Sequence, residues 1–234
     1  MTKREGLIAG IFLFLLLICS TSSFAKMPQI DINDWVSISG DIDTGKADEV
    51  ILALMNLDSK PGTAPIGIRI TSPGGSLTAV MAICDVIKSL RHPVVTVALG
   101  EATSGAGLIL SCGDKRYVGE HTIVMLHQPA IVFENWSSYF EDLQELTMAL
   151  GKIENQMYRL LAENTGKSEE EIRQALKKEL WLTAKEAVNF GLADEILSKG
   201  GLGIKVKEEE TAAPGKKKEK SSVTPPASPH QNLR

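Results

Sequence analysis

The sequence predicts an α/β fold with a largely parallel sheet, and three observations point there. Short, β-branched apolar runs alternate with helical stretches at the spacing of repeated βαβ units. A chain of 234 residues, 43% of them hydrophobic, suits one globular domain with flanking segments. Late in the chain a long helical stretch carries an apolar seam of its own.

The elements follow in order. Trp35-Val-Ser-Ile-Ser-Gly40 alternates and ends in glycine, as a strand does. Thr44 to Asp58 reads as a helix with Val50, Ile51, Leu54 and Leu57 on one face, broken by the loop Lys60-Pro-Gly-Thr-Ala-Pro65. Ile66 to Thr71 is a strand that runs into Ser72-Pro-Gly-Gly-Ser76. Leu77 to Leu90 is a helix, and Pro93 marks its exit. Val94 to Leu99 is a strand, Ser104 to Cys112 a helix, and Arg116 to Val118 and Thr122 to Leu126 are strands. Ser138-Tyr-Phe-Glu141 is a capping box that opens the long helix. Along it Tyr139, Leu143, Leu146, Leu150, Ile153, Met157 and Leu160 recur with a period of 3.5, a seam suited to another helix of the same or a neighbouring subunit. Gly166 supplies the stop. Capping boxes at Ser168…Glu171 and Thr183…Glu186 open two short helices, Gly191 ends the second, and a last strand is expected around Leu192 to Leu197.

The two ends read differently. Lys3 and Arg4 precede an apolar run from Leu7 to Ile18, and Ser23-Phe24-Ala25 offers a small-x-small cleavage site. That order describes a secretory signal peptide over residues 1–25, with an uncleaved anchor as the alternative. Either topology exports the body of the protein, as a periplasmic or extracytoplasmic, or membrane-tethered, chain; the competing reading is cytoplasmic. Ile18 before Cys19 argues against a lipoprotein signal. From about Gly200 the periodicity stops. Lys216 to Lys220 is charged and Ser221 to Pro229 is rich in Pro and Ser, so residues 200–234 are expected to be a disordered tail. The folded domain is thereby bounded at 31–199.

Composition narrows the partners. The net charge of −4 and the absence of an internal basic block exclude a nucleic-acid platform. Cleavage after Ala25 would leave Cys84 and Cys112, both in apolar helical stretches, read as small buried hydrophobes. No Cys/His pair has zinc-ligand spacing, and no cofactor is implied.

The chemistry gathers around Ser104. It follows a buried strand and opens a helix of small and apolar residues, Ser104-Gly-Ala-Gly-Leu-Ile-Leu. A serine there is either a helix N-cap or a nucleophile beside backbone N–H groups that hold an oxyanion. His127 closes the strand Thr122-Ile-Val-Met-Leu and is the candidate base. Adjacent glycines in Ser72-Pro-Gly-Gly-Ser76 let an N–H approach a ligand, so Gly75 and Gly105 are candidate oxyanion donors, or the turn is merely tight. His92, His121 and His230 lie in loops or the tail and compete poorly.

Taken together these stretches resemble the family of Clp protease proteolytic subunits, ClpP, within the ClpP/crotonase superfamily. The resemblance rests on Ile70-Thr-Ser-Pro-Gly-Gly-Ser-Leu-Thr-Ala-Val-Met-Ala-Ile-Cys-Asp85, Gly100-Glu-Ala-Thr-Ser-Gly-Ala106, Lys115-Arg-Tyr117, Met125-Leu-His-Gln-Pro129, Asn164-Thr-Gly166 and Trp181 to Ile196. They occur in family order between about Val36 and Leu197. The resemblance implies a spiral of repeated ββα units with a long protruding helix. It also implies a serine endopeptidase in which Ser104 is nucleophile, His127 general base, and Gly75 and Gly105 the oxyanion donors. It further implies a homo-oligomeric ring, with peptides or unfolded proteins as substrates.

The chain departs from the family pattern in several places. Where the family has an Asp, two residues before the aromatic, this chain has Glu179. It reads either as the carboxylate that orients His127 or as a solvated charge at a helix end. Asp194 belongs to a motif the family uses structurally. Gly105-Ala106 stands where the family commonly shows Met-Gly, and Ala130 to Trp136 is bulkier than the family's glycine-rich turn. Only a short lead separates Ala25 from Trp35, so the family's axial-pore segment is essentially missing. With export that speaks against a Clp ATPase partner and for short or unfolded peptides. Two other functions compete: a catalytically relaxed assembly subunit, and a crotonase-like acyl-thioester enzyme that needs no serine nucleophile. Intact Ser104, His127 and Gly-Gly oppose the first. Ser104 with His127 at family spacing, and the lack of a basic thioester-binding cluster, oppose the second.

Overall fold

The computed structural model describes residues 27–129, 140–197 and 204–205. Its centre is a seven-stranded sheet fed by β-α-β crossovers. The path runs β2 (Trp35–Ser39), α1 (Thr44–Asp58), β3 (Ile66–Ser72), α2 (Leu77–Ser89), β4 (Val94–Thr103), α3 (Gly105–Ser111) and β5 (Lys115–Val118). It continues through β6 (Ile123–Leu126), the long α4 (Phe140–Thr165), α5 (Glu169–Ala175), β7 (Leu180–Thr183), α6 (Ala184–Phe190) and β8 (Glu195–Ile196). The main order is β2-β3-β4-β5-β8, with β6 paired to β4 and β7 to β6. All pairings in this sheet are parallel except β6–β7, which is antiparallel.

Strand β4 has residues buried on both faces. Val94, Ala98 and Ala102 join the main core with α1, α2, α3 and the end of α4, while Val95 and Val97 pack with Met27, Ile30 and Tyr117 in a second cluster. That second cluster lies beside a small parallel pair, β1 (Ile30–Asp31) with β9 (Ile204–Lys205). Within the stretch 200–234, expected to be a disordered tail, only residues 204 and 205 are described, and they form this strand. Its two residues are too few to show a period, and their pairing is with the far end of the chain.

Strand β4 is also longer than expected. Gly100, at φ +76, bends it rather than ending it. Before the bend β4 pairs with β5; beyond it Glu101, Ala102 and Thr103 pair with Ile123, Val124 and Met125 of β6. Thr122 bridges the break, its Oγ1 accepting from Gly100 N–H at 3.1 Å and donating to the Ala98 carbonyl at 3.2 Å. The consequence for function is direct: the carboxyl ends of β3, β4 and β6 finish together, where ligands bind in open α/β sheets.

The remaining elements follow their local signals. Ser168 and Thr183 close both capping boxes, and Gly191 ends α6 in the left-handed region. Ser138 and its capping box lie outside the described residues. Among the described seam residues of α4, Met157 is buried and Leu150 and Ile153 are half-buried, whereas Leu146 is exposed. Cys84 and Cys112 are buried free thiols in the main core. Asp194 is structural, as expected. It pairs with Arg116 at 2.5 Å, and Arg116 also donates to the Asn164 and Gly191 carbonyls, each at 2.7 Å.

Candidate active site

Ser104 stands at the junction of β4 and α3 with φ 54° and ψ −123°, the one non-glycine positive φ among the described residues. Such a conformation costs about 1–3 kcal/mol and persists only where the surroundings impose it. Here β6 imposes it: the Ser104 N–H donates to the Met125 carbonyl at 2.7 Å, extending the β4–β6 ladder into the turn. Ser104 occupies the N-cap position, yet its side chain makes no capping bond. The hydroxyl points instead to His127, with Oγ 2.8 Å from Nε2.

The tautomer of His127 follows from its other partner. Nδ1 lies 2.6 Å from the Gln128 backbone carbonyl, which can only accept. Nδ1 therefore carries the proton in the neutral ring, Nε2 is the acceptor, and Ser104 Oγ donates to it. The Gln128 side chain is itself tied down. Its Nε2 donates to the Tyr158 hydroxyl at 3.1 Å, and that hydroxyl donates to Glu154 Oε1 at 2.5 Å. Tyr158 is 1% exposed, and the Arg173 guanidinium sits 4.3 Å from its ring centroid. Burial, with the bond to Glu154 second, pushes the Tyr158 phenol above its ordinary range.

The Gly-Gly turn is fixed from below. Ser72, fully buried, donates its hydroxyl to the Gly40 carbonyl at 2.6 Å and accepts from Gly74 N–H at 3.0 Å. Ile42 then forms a parallel bridge with Gly75 by donating to the Gly74 carbonyl and accepting from Ser76 N–H, each at 2.8 Å. A bridge of that kind uses the neighbours' groups and turns the Gly75 N–H away from Ile42. A side chain at Gly75 would run into the Ile42 backbone, so only glycine fits. A Cβ on Gly74 would lie 2.8 Å from the Gly105 nitrogen, which shows how closely the turn approaches the start of α3. Gly105 N–H is one of the unpaired first-turn donors of that helix. Gly75, Gly105, Ser104 and His127 all line one cleft of about 350 Å³, whose apolar wall includes Leu77, Leu108, Leu126, Leu150 and Met157.

Four sequence-predicted residues thus meet: Ser104, His127, Gly75 and Gly105. Glu179 is not among their partners. Its Oε2 accepts from the Trp181 indole N–H at 2.9 Å, and no hydrogen bond joins it to His127. Sequence reasoning passed over Ser72, Gln128, Tyr158 and Glu154. Ser72 and Gln128 lie within the family-like motifs, whereas Tyr158, which accepts from Gln128, and Glu154, which accepts from Tyr158, come from a helix distant in sequence.

The family model described as Clp protease matches residues 21–200. The chain belongs to the Clp protease family. Three curated relatives agree. The ATP-dependent Clp protease proteolytic subunit 2 of Frankia casuarinae is 34% identical over 158 residues, covering 67% of this chain and 71% of the relative. Proteolytic subunit 4 of Rhodococcus jostii is 33% identical over 165 residues, with 70% and 84% covered. Proteolytic subunit 1 of Thermobifida fusca is 34% identical over 158 residues, with 67% and 70% covered. As a Clp protease family member this chain is a serine-type endopeptidase.

Proposed function

We propose that Ser104 and His127 carry the peptidase reaction without a carboxylate bound to His127 in the state described. The observation that carries this is the 2.8 Å contact between Ser104 Oγ and His127 Nε2 at a strained serine whose hydroxyl caps nothing. Ser104 Oγ attacks the scissile carbonyl as His127 Nε2 takes its proton. The oxyanion lies between the N–H groups of Gly75 and Gly105. The imidazolium keeps its Nδ1–H on the Gln128 carbonyl and then protonates the departing amine. Water, activated by the same nitrogen, releases the acyl group and restores Ser104. The apolar wall of the cleft favours an apolar side chain on the acyl side of the cleaved bond.

The purified protein is tested with a fluorophosphonate probe. Labelling at Ser104, lost in Ser104→Ala, is expected; a folded protein that does not label overturns the assignment.

The wider setting is part of the same proposal. Residues 1–25 act as an export signal or anchor, the peptidase domain spans 31–199, and the enzyme works outside the cytoplasm on short or unfolded peptides, away from a Clp ATPase. Copies of the chain assemble into rings that stack through α4, whose exposed seam residue Leu146 supports a subunit contact. Cell fractionation is the check on location. A soluble cytoplasmic chain that retains residues 1–25 overturns export.

A further inference from the structure

The β6–β7 ladder pairs Met125 with Trp181 and Leu126 with Leu180. The ladder ends at that pair, and the next residues outward on the two chains are His127 and Glu179. Antiparallel partners share a face of the sheet and stand roughly 5 Å apart at Cα, a span that a glutamate side chain bridges. The backbone therefore presents Glu179 to His127, while the side chains decline the contact. Two hydrogen bonds keep them apart. The Trp181 indole N–H holds the carboxylate at 2.9 Å, and the Gln128 carbonyl occupies His127 Nδ1 at 2.6 Å. Glu179 and Trp181 are two residues apart on one strand edge and so lie on the same side. Trp181 is 57% exposed, so its ring is not committed to the core.

We propose that Trp181 is a positioning residue for the peptidase reaction: its indole N–H decides whether Glu179 or the Gln128 carbonyl orients His127. With the indole bound, His127 is oriented by a neutral carbonyl. With the indole released, the Glu179 carboxylate takes Nδ1–H and stabilises the imidazolium formed during acylation. A carboxylate does this better than a carbonyl because its charge opposes the one that develops on the ring. The added methylene of glutamate fits this arrangement, since it lets one carboxylate reach either partner. The inference rests on the reading of Ser104 and His127 as the reacting pair.

The test is Trp181→Phe, which keeps an aromatic ring at an exposed position and removes the indole N–H donor. It is measured with Glu179→Gln in both backgrounds, using peptide hydrolysis and fluorophosphonate labelling. In Trp181→Phe, kcat is expected to rise about fivefold to tenfold with KM within about twofold, because only the transition state gains. Adding Glu179→Gln to that variant is expected to remove the gain. Unchanged or lower kcat in Trp181→Phe overturns the proposal, and so does a gain that survives Glu179→Gln. An active, labelled parent that ignores both substitutions overturns the role of Trp181 alone. A parent that neither labels nor hydrolyses overturns the Ser104–His127 assignment, and this role with it.

Discussion

The Tyr158 hydroxyl accepts a hydrogen bond from Gln128 Nε2 at 3.1 Å, tying α4 to the residue whose carbonyl orients His127. The hydroxyl relays that tie to Glu154, so the peptide after His127 is fixed by a buried side chain from another element. Tyr158→Phe removes the relay and keeps the ring in the core. The expected outcome is a fall of about threefold to tenfold in kcat with KM little changed, since the loss is one of orientation. Steady-state kinetics on a short peptide, with circular dichroism to confirm the fold, make the check. An equal fall in Arg173→Gln, which also touches the Tyr158 ring, would assign the effect to packing instead.

At Ser104 the strained backbone has its own consequence. With φ 54° and ψ −123°, alanine inherits the strain and glycine relieves it. Ser104→Gly is therefore expected to be more stable than Ser104→Ala by about 1 kcal/mol, offset in part by the greater freedom of glycine when unfolded. Urea denaturation of the two inactive variants measures the difference. Ser104→Ala equal to or more stable than Ser104→Gly would show that the turn is unstrained.

The alternation of strands and helices was legible because each element carries its own period, and α1 matches its expected bounds from Thr44 to Asp58. What escaped the sequence were features decided by distant partners. Gly100 reads as a stop, yet β6 arrives beyond it and draws Glu101 to Thr103 into a new ladder. Leu180 to Thr183 is four residues long and becomes β7 only by pairing antiparallel with β6. At the site, Ser104, His127, Gly75 and Gly105 were visible because family motifs and local chemistry agree. Where Glu179 points was not, because that depends on whether the indole of Trp181 or the ring of His127 holds its carboxylate.

Asp194 ties the start of β8 to Arg116 of β5 in a way that acid should reveal. Burial raises its carboxyl, but hydrogen bonds and charge from Arg116 outweigh burial and hold it below the ordinary 3.8. A carboxyl depressed in the folded state contributes stability above its unfolded value and loses it as pH falls through the folded one. Stability should therefore be level above about pH 4 and decline below it. Asp194→Asn should cost about 2 kcal/mol at neutral pH, because Arg116 loses its charged partner, and should flatten the decline in acid. Urea titrations from neutral to acid pH measure both. A variant whose acid profile parallels the parent's would remove Asp194 as a source of the slope.

Helix α4 leaves a question that its own seam frames. Leu146 is exposed, and its neighbour Met148 is 63% exposed, while farther along Met157 and Leu161 are buried. The isolated subunit therefore covers the carboxyl end of α4 and leaves apolar side chains bare nearer its start, as expected where a second copy packs. Leu146→Glu puts a charge on the exposed seam without touching the core. Size-exclusion chromatography with light scattering is expected to show a smaller species than the parent. Because Leu150 of the same helix lines the cleft, loss of assembly should also lower peptide hydrolysis. An unchanged mass with full activity would mean that this part of α4 is simply solvent-facing, and that assembly, where it occurs, uses another surface.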